Sequence, residues 1–136
     1  MKSGIVAGAI AGLVSGIVSS ISVSVGLSIG LYGGGFWGIP AAFLPADLAI
    51  AMVVLTFFFG TILGLLYSKF YDLIPGSGLR KGLNFGLMVW FVKDIMAGAY
   101  VTIPMMQPII IGVNLIVGGF YMWIIYGLVI GALYKK

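Results

Sequence analysis

The chain contains four apolar runs, at residues 4–31, 48–70, 81–103 and 109–134, and each matches or exceeds the roughly 20 residues that a helix needs to cross a bilayer. No other feature constrains the fold as tightly. In hydrocarbon every backbone N–H and C=O must be paired within its own segment, so runs of this length are expected to be helical. Each break has a chemical cause. Residues 32–47, YGGGFWGIPAAFLPAD, carry three consecutive glycines and two prolines. Residues 71–81, YDLIPGSGLRK, hold a Pro-Gly turn, and residues 103–108, IPMMQP, hold Pro104 and Pro108. Helices do not run smoothly through such stretches. The first run exceeds the roughly 7–15 residues of a signal-peptide core, so it is expected to remain as a helix. The expected fold class is all-α: a polytopic membrane protein, with four transmembrane helices forming one bundle over residues 1–136.

Composition agrees. Of 136 residues, 62% are hydrophobic and 7% charged, against about 25% charged in a soluble domain. That leaves too little polar surface to cover a water-soluble globule, so the bilayer is the expected partner. Cysteine and histidine are absent, and the acidic inventory is Asp47, Asp72 and Asp94. Thiolate sites, disulfides and imidazole chemistry are thereby excluded. No cofactor and no metal site are expected.

The basic residues set the orientation. Lys2, Lys69, Arg80, Lys81, Lys135 and Lys136 fall at one set of helix ends, and the two opposite loops contain no Lys or Arg. The positive-inside rule then places both termini and the middle turn in the cytoplasm of a multi-pass cell-membrane protein, with Tyr32 and Trp37 as outer interface anchors. The net charge of +4 reads as this topology signal. A nucleic-acid surface would need interleaved basic and aromatic residues, and none is present.

The sequence repeats. KSGIVAG at residues 2–8 matches RKGLNFG at residues 80–86, and FGTILGLLYSK at residues 59–69 matches YGLVIGALYKK at residues 126–136. The alignment also lays Asp47 over Asn114. The unit is a two-helix hairpin used twice, at residues 1–71 and 79–136. A hairpin returns to its starting side, so the copies point the same way and are related by an axis along the membrane normal.

Small residues mark the packing faces. Gly4, Gly8, Gly12, Gly16, Ser20, Ser24 and Ser28 recur at every fourth position, beside a second stripe of Ala7, Ala11, Ser15 and Ser19. Gly60 and Gly64, Gly82 and Gly86, and Gly127 and Gly131 repeat the spacing. Such faces let backbones approach closely in lipid, with a right-handed crossing near about −40°. The first helix is expected at the centre, meeting the third through Gly8, Gly12, Gly16 and Gly86. The second and fourth, which carry Phe57, Phe58, Phe59, Phe120 and Trp123, are expected at the periphery.

Against this background Lys93 and Asp94 stand out, lying roughly 18 Å from the cytoplasmic end of the third helix at 1.5 Å per residue. Asp94 takes the rung that Gly16 holds in the first helix, so it should point into the bundle. Each unpaired charge at that depth costs at least about 2.5–3.5 kcal/mol on insertion scales. Adjacent helix positions diverge by about 100°, so the two are not expected to cancel each other directly. Ser15, Ser19 and Asn114 are the polar groups of similar depth. Water in a cavity, or proton exchange within the pair, would be other solutions. The site reads either as a clamp that fixes helix register or a subunit contact, or as part of a path for a proton, ion or polar solute.

Other patterns carry less. YGGGFWG at residues 32–38 lacks the Lys-Ser/Thr of a phosphate-binding loop and reads as an interfacial turn. Asp47 suits the first turn of the second helix, and Asn114 suits an interhelical hydrogen bond. No nucleophile–base pair or carboxylate dyad is visible, so no enzyme activity is expected.

The blocks YSKFYDLIPGSGLRKGLNFG at residues 67–86 and WIIYGLVIGALYKK at residues 123–136 resemble those of small four-span archaeal or bacterial membrane proteins with no assigned activity. The resemblance covers the second to fourth helices best. It implies a prokaryotic cell membrane and supplies no functional residues. The function expected is that of a non-catalytic subunit of a homo-oligomer or a larger membrane complex. The alternative is a small channel or transporter that uses Lys93 and Asp94.

Overall fold

The computed structural model describes residues 2–28, 46–104 and 109–135. Tyr32, Trp37 and the glycine-rich loop lie outside the described residues, as do the side chains of Lys2, Ser28, Asn114 and Lys136. Among the described residues the chain is almost entirely helical, with no strand. Its elements are α1 (Lys2–Ser28), α2 (Ala46–Phe70) with a short 3-10 turn (Tyr71–Leu73), α3 (Gly78–Trp90), a π-turn (Phe91–Ile95), α4 (Met96–Thr102) and α5 (Ile109–Leu133).

Three stretches, Ser3–Val25, Ala46–Leu73 and Leu115–Leu133, are long and apolar enough to cross a membrane. The third apolar run is not one uniform α-helix. It is divided by the π-turn around Lys93 and Asp94, and no single piece has spanning length. A π-turn admits one extra residue into the i→i−4 ladder and re-aims the side chains beside it.

Packing is dominated by sequential neighbours: α1 lies against α2, α3 against α5, and α1 against α5, with α4 also resting on α5. The small faces explain the closeness. A Cβ added to Gly64 would lie 2.6 Å from the Gly8 Cα, and one added to Gly60 would lie 2.6 Å from the Gly12 Cα. Gly4 faces Gly64 and Ser68, and Gly16 faces Thr56. In the other hairpin a Cβ on Gly82 would lie 2.6 Å from the Gly131 Cα, and Gly86 faces Trp123 and Gly127. These approaches bring backbones into dispersion contact where lipid supplies no hydrophobic drive.

Two expectations are corrected here. Helices α1 and α3 share no substantial packing. Gly8, Gly12 and Gly16 meet α2, and Gly86 meets α5. Each glycine stripe finds a matching small face on the helix that follows it, and two flat faces pack closer than a flat face and a bulky one. Nor is α5 peripheral: it touches α1, α3 and α4, and Trp123 is buried. By contrast Leu55, Phe58 and Ile62 on α2 are widely exposed, an apolar surface suited to lipid.

At one end, aromatic rings close the bundle. Tyr67 lies 5.1 Å from Phe85, 5.5 Å from Tyr71 and 5.4 Å from Tyr134 between ring centroids. Lys81, read from sequence as a peripheral charge, is buried there. Its Nζ donates to the Tyr71 carbonyl at 2.7 Å and sits 4.1 Å over the Tyr71 ring. The turn into α3 uses Gly76 at φ 102° and Gly78 at φ 48°, both left-handed conformations that favour glycine. Farther along, the Tyr126 hydroxyl donates to the Gly60 carbonyl at 2.8 Å and ties α5 to α2.

Candidate functional site

The π-turn explains how neighbouring charges meet. Widening the turn narrows the angle between successive side chains below the α-helical value of about 100°. Lys93 is long enough to fold back, and its Nζ donates to Asp94 Oδ1 at 2.7 Å. The expectation that the pair could not cancel directly is therefore corrected, because it assumed uniform α-helix.

Asp94 points inward and is buried. Its second oxygen, Oδ2, accepts a hydrogen bond from the Trp123 indole N–H. The Lys93 Nζ also lies 5.4 Å from the Trp123 ring centroid. One tryptophan thus serves the carboxylate through its edge and the ammonium through its face, a combination of charge-assisted hydrogen bond and cation–π contact. Room for the carboxylate comes from Gly119, where a Cβ would fall 2.9 Å from the Asp94 Cβ and still closer to its carboxyl carbon and Oδ2. A second indole fastens the same pair of helices: Trp90 Nε1 donates to the Ile116 carbonyl at 2.8 Å.

A cavity of about 510 Å³ adjoins the pair and is lined from α1, α2, the π-turn and α5. Ser15 and Ser19 lie on its wall with Lys93 and Asp94, so four of the five polar residues singled out by sequence line one space. The fifth, Asn114, has its side chain outside the described residues. The Ser15 hydroxyl donates to the Gly12 carbonyl at 3.1 Å and is fully buried. Lys93 differs from the rest: 44% of its side chain is exposed, against 8% for Asp94. The ion pair is therefore anchored on the carboxylate side and open on the ammonium side.

Trp123 and Gly119 are the site residues that sequence reasoning missed. A signal existed. Once Gly82 is paired with Gly131 and Gly86 with Gly127, continuing the antiparallel register brings Asp94 opposite Gly119 and within reach of Trp123. Pairing the third helix with the first hid it. Among the described residues, no cluster of His, Cys, Asp or Glu suited to holding a metal comes together. Comparison of the chain with protein-family models, with characterised proteins and with solved structures gives no match.

Proposed function

We propose that the chain is a non-catalytic integral membrane protein, a bundle-forming subunit of a homo-oligomer or larger membrane complex, in which Lys93, Asp94 and Trp123 act as a polar clamp. In this reading it crosses the membrane four times, with both termini cytoplasmic. Residues 78–102 form the additional span, long enough at 1.5 Å per residue despite the π-turn. The chain is built from two hairpin repeats. Gly60 and Gly64 stand against α1 as Gly127 and Gly131 stand against α3, and Tyr67 and Tyr134 converge at the same end.

The observation that carries the clamp is the saturation of Asp94. Both carboxylate oxygens take protein donors, so the charge is compensated without a permeant ion. A polar tie of this kind holds α5 to the π-turn in a medium that offers no alternative partners. The second reading, a channel or transporter for a proton, ion or polar solute, draws on the half-exposed Lys93 and on Ser15 and Ser19 in the same cavity.

Stability and liposome flux of three variants separate the two. For a clamp, Asp94→Asn is tolerated because the amide oxygen still accepts. Lys93→Met strands a buried carboxylate and is destabilising by about 3–5 kcal/mol, and the double variant recovers most of that. No flux accompanies any of them. Flux through wild type that vanishes in Asp94→Asn would replace the clamp with conduction.

A further inference from the structure

A clamp accounts for the ion pair but not for the space beside it. At about 510 Å³, the cavity falls within the roughly 300–1,000 Å³ of small-molecule sites. Most of its wall is apolar, with Val23, Met52, Leu55, Phe59, Leu115 and Met122. Several of its polar groups are already committed. Thr56 donates to the Met52 and Val53 carbonyls at 2.8 and 3.0 Å, Ser15 to Gly12, and Tyr126 to Gly60. Asp94 and Trp123 serve each other.

Three donor groups are left over, on Lys93, Ser19 and Tyr121. An ammonium has three N–H groups, and the structure gives Lys93 one conventional acceptor, Asp94 Oδ1. Ser19 is 6% exposed, and no hydrogen bond joins its hydroxyl to any described residue. The hydroxyl opens on the cavity, where it can donate to an acceptor that enters. Charge and depth then define that acceptor. Lys93 and Asp94 together are neutral, so an anion would add an uncompensated charge. Lys93 lies fifteen residues beyond the start of α3, about 22 Å along the helix, which leaves about 8 Å of a hydrocarbon layer about 30 Å thick to the opposite interface. A neutral head that accepts hydrogen bonds adds no uncompensated charge at that depth.

We infer that this cavity binds a membrane-dissolved amphiphile with an uncharged carbonyl head. The carbonyl oxygen accepts from the Lys93 ammonium or the Ser19 hydroxyl, and the tail lies along the Val23, Met52, Leu55 and Phe59 wall. The inference rests on the membrane reading above. Two kinds of molecule share the chemistry: a quinone, through its ring carbonyls, and a diacylglycerol, through its esters.

The test uses the full chain in nanodiscs of ether-linked phosphatidylcholine, which has no ester carbonyl, titrated with decylubiquinone, with dioctanoylglycerol, or with decane as a headless control. Binding to the native state raises the unfolding temperature saturably. The expected result is a saturable rise with at least one carbonyl probe and none with decane. Decylubiquinone alone assigns the quinone, dioctanoylglycerol alone assigns the glyceride, and both assign the shared carbonyl. Lys93→Met should move half-saturation upward by about tenfold or more. Because that variant disturbs the clamp, Gly118→Leu provides the second measurement. Gly118 lines the cavity, and a Cβ there meets nothing within 4 Å. A leucine there starts from open space on the cavity wall, so the expected outcome is helicity and dispersity at wild-type values with the saturable rise lost. A rise equal for decane, no rise with either carbonyl probe, or an unchanged rise in Gly118→Leu overturns the inference. Unliganded stability and dispersity report on the bundle separately, so failure of one reading is distinguishable from failure of the other.

Discussion

Replacing Gly64 and Gly118 by alanine, one at a time, tests whether close backbone approach holds the first hairpin together. A methyl at Gly64 would lie 2.6 Å from the Gly8 Cα and 2.9 Å from the Gly8 nitrogen, against an optimum of about 3.5–4.0 Å for carbon contacts. Both neighbours are backbone, so no side chain can rotate away. The helices must part by about 1 Å, and a gap of 0.5–1 Å already forfeits roughly a quarter to a half of each dispersion contact. Gly4, Gly8, Gly12, Gly16 and Gly60 share the interface, so the loss spreads along it. Overpacking of this kind costs about 1–3 kcal/mol. At Gly118 the same methyl enters open space. Each substitution also gains the same helix propensity, about 0.8–1.0 kcal/mol in water, so their difference isolates the clash. Unfolding in mixed micelles, followed by circular dichroism, should therefore show Gly64→Ala less stable than Gly118→Ala by about 1–3 kcal/mol. Equal stabilities would mean that α1 and α2 stand farther apart, and the small-face account of the bundle would be wrong.

Two tyrosines form a matched pair for the same assay. Tyr126→Phe deletes the hydrogen bond to the Gly60 carbonyl and should lose about 1 kcal/mol. Tyr67→Phe removes a buried hydroxyl that has no partner among the described residues and should be neutral or stabilising. Gly119→Ala should push the Asp94 carboxylate off the Trp123 indole and destabilise by about 1–3 kcal/mol, while Gly118→Ala next to it does not. Single cysteines at Ser77 and Gly34 should label from opposite sides of the membrane, with Ser77 protected from outside; outside labelling at Ser77 would invert the proposed topology.

Helix content and the apolar faces were legible because they depend on local features. Run length, the Pro75-Gly76 turn and the four-residue glycine spacing each act within one segment. Partner choice was harder to read, because Gly8 and Gly12 are equally flat toward any neighbour. What decides it is a second flat face at the right depth, and Gly60 and Gly64 supply that face on the very next helix. Bulk misled in a similar way. Phe58 and Trp123 both look like lipid-facing side chains, yet Phe58 is exposed and Trp123 is buried. The indole N–H makes the difference. It has an acceptor to satisfy in Asp94, whereas a phenyl ring has none.

The site was half legible for a related reason. The depth of Asp94, Lys93, Ser15 and Ser19 follows from counting along helices, and all four line one cavity. Their contacts do not follow from counting, because counting presumes a uniform helix. The π-turn spans the two charged residues, and the reasons for the pair and for the turn coincide. In an unbroken α-helix, Lys93 and Asp94 would diverge by about 100°, and each would need its own partner in hydrocarbon. One inserted residue lets Lys93 reach Oδ1 locally while Oδ2 remains free for Trp123. The irregular backbone thus compensates a charge that would otherwise cost several kcal/mol. It also leaves the ammonium turned partly outward, toward the cavity, with donors to spare.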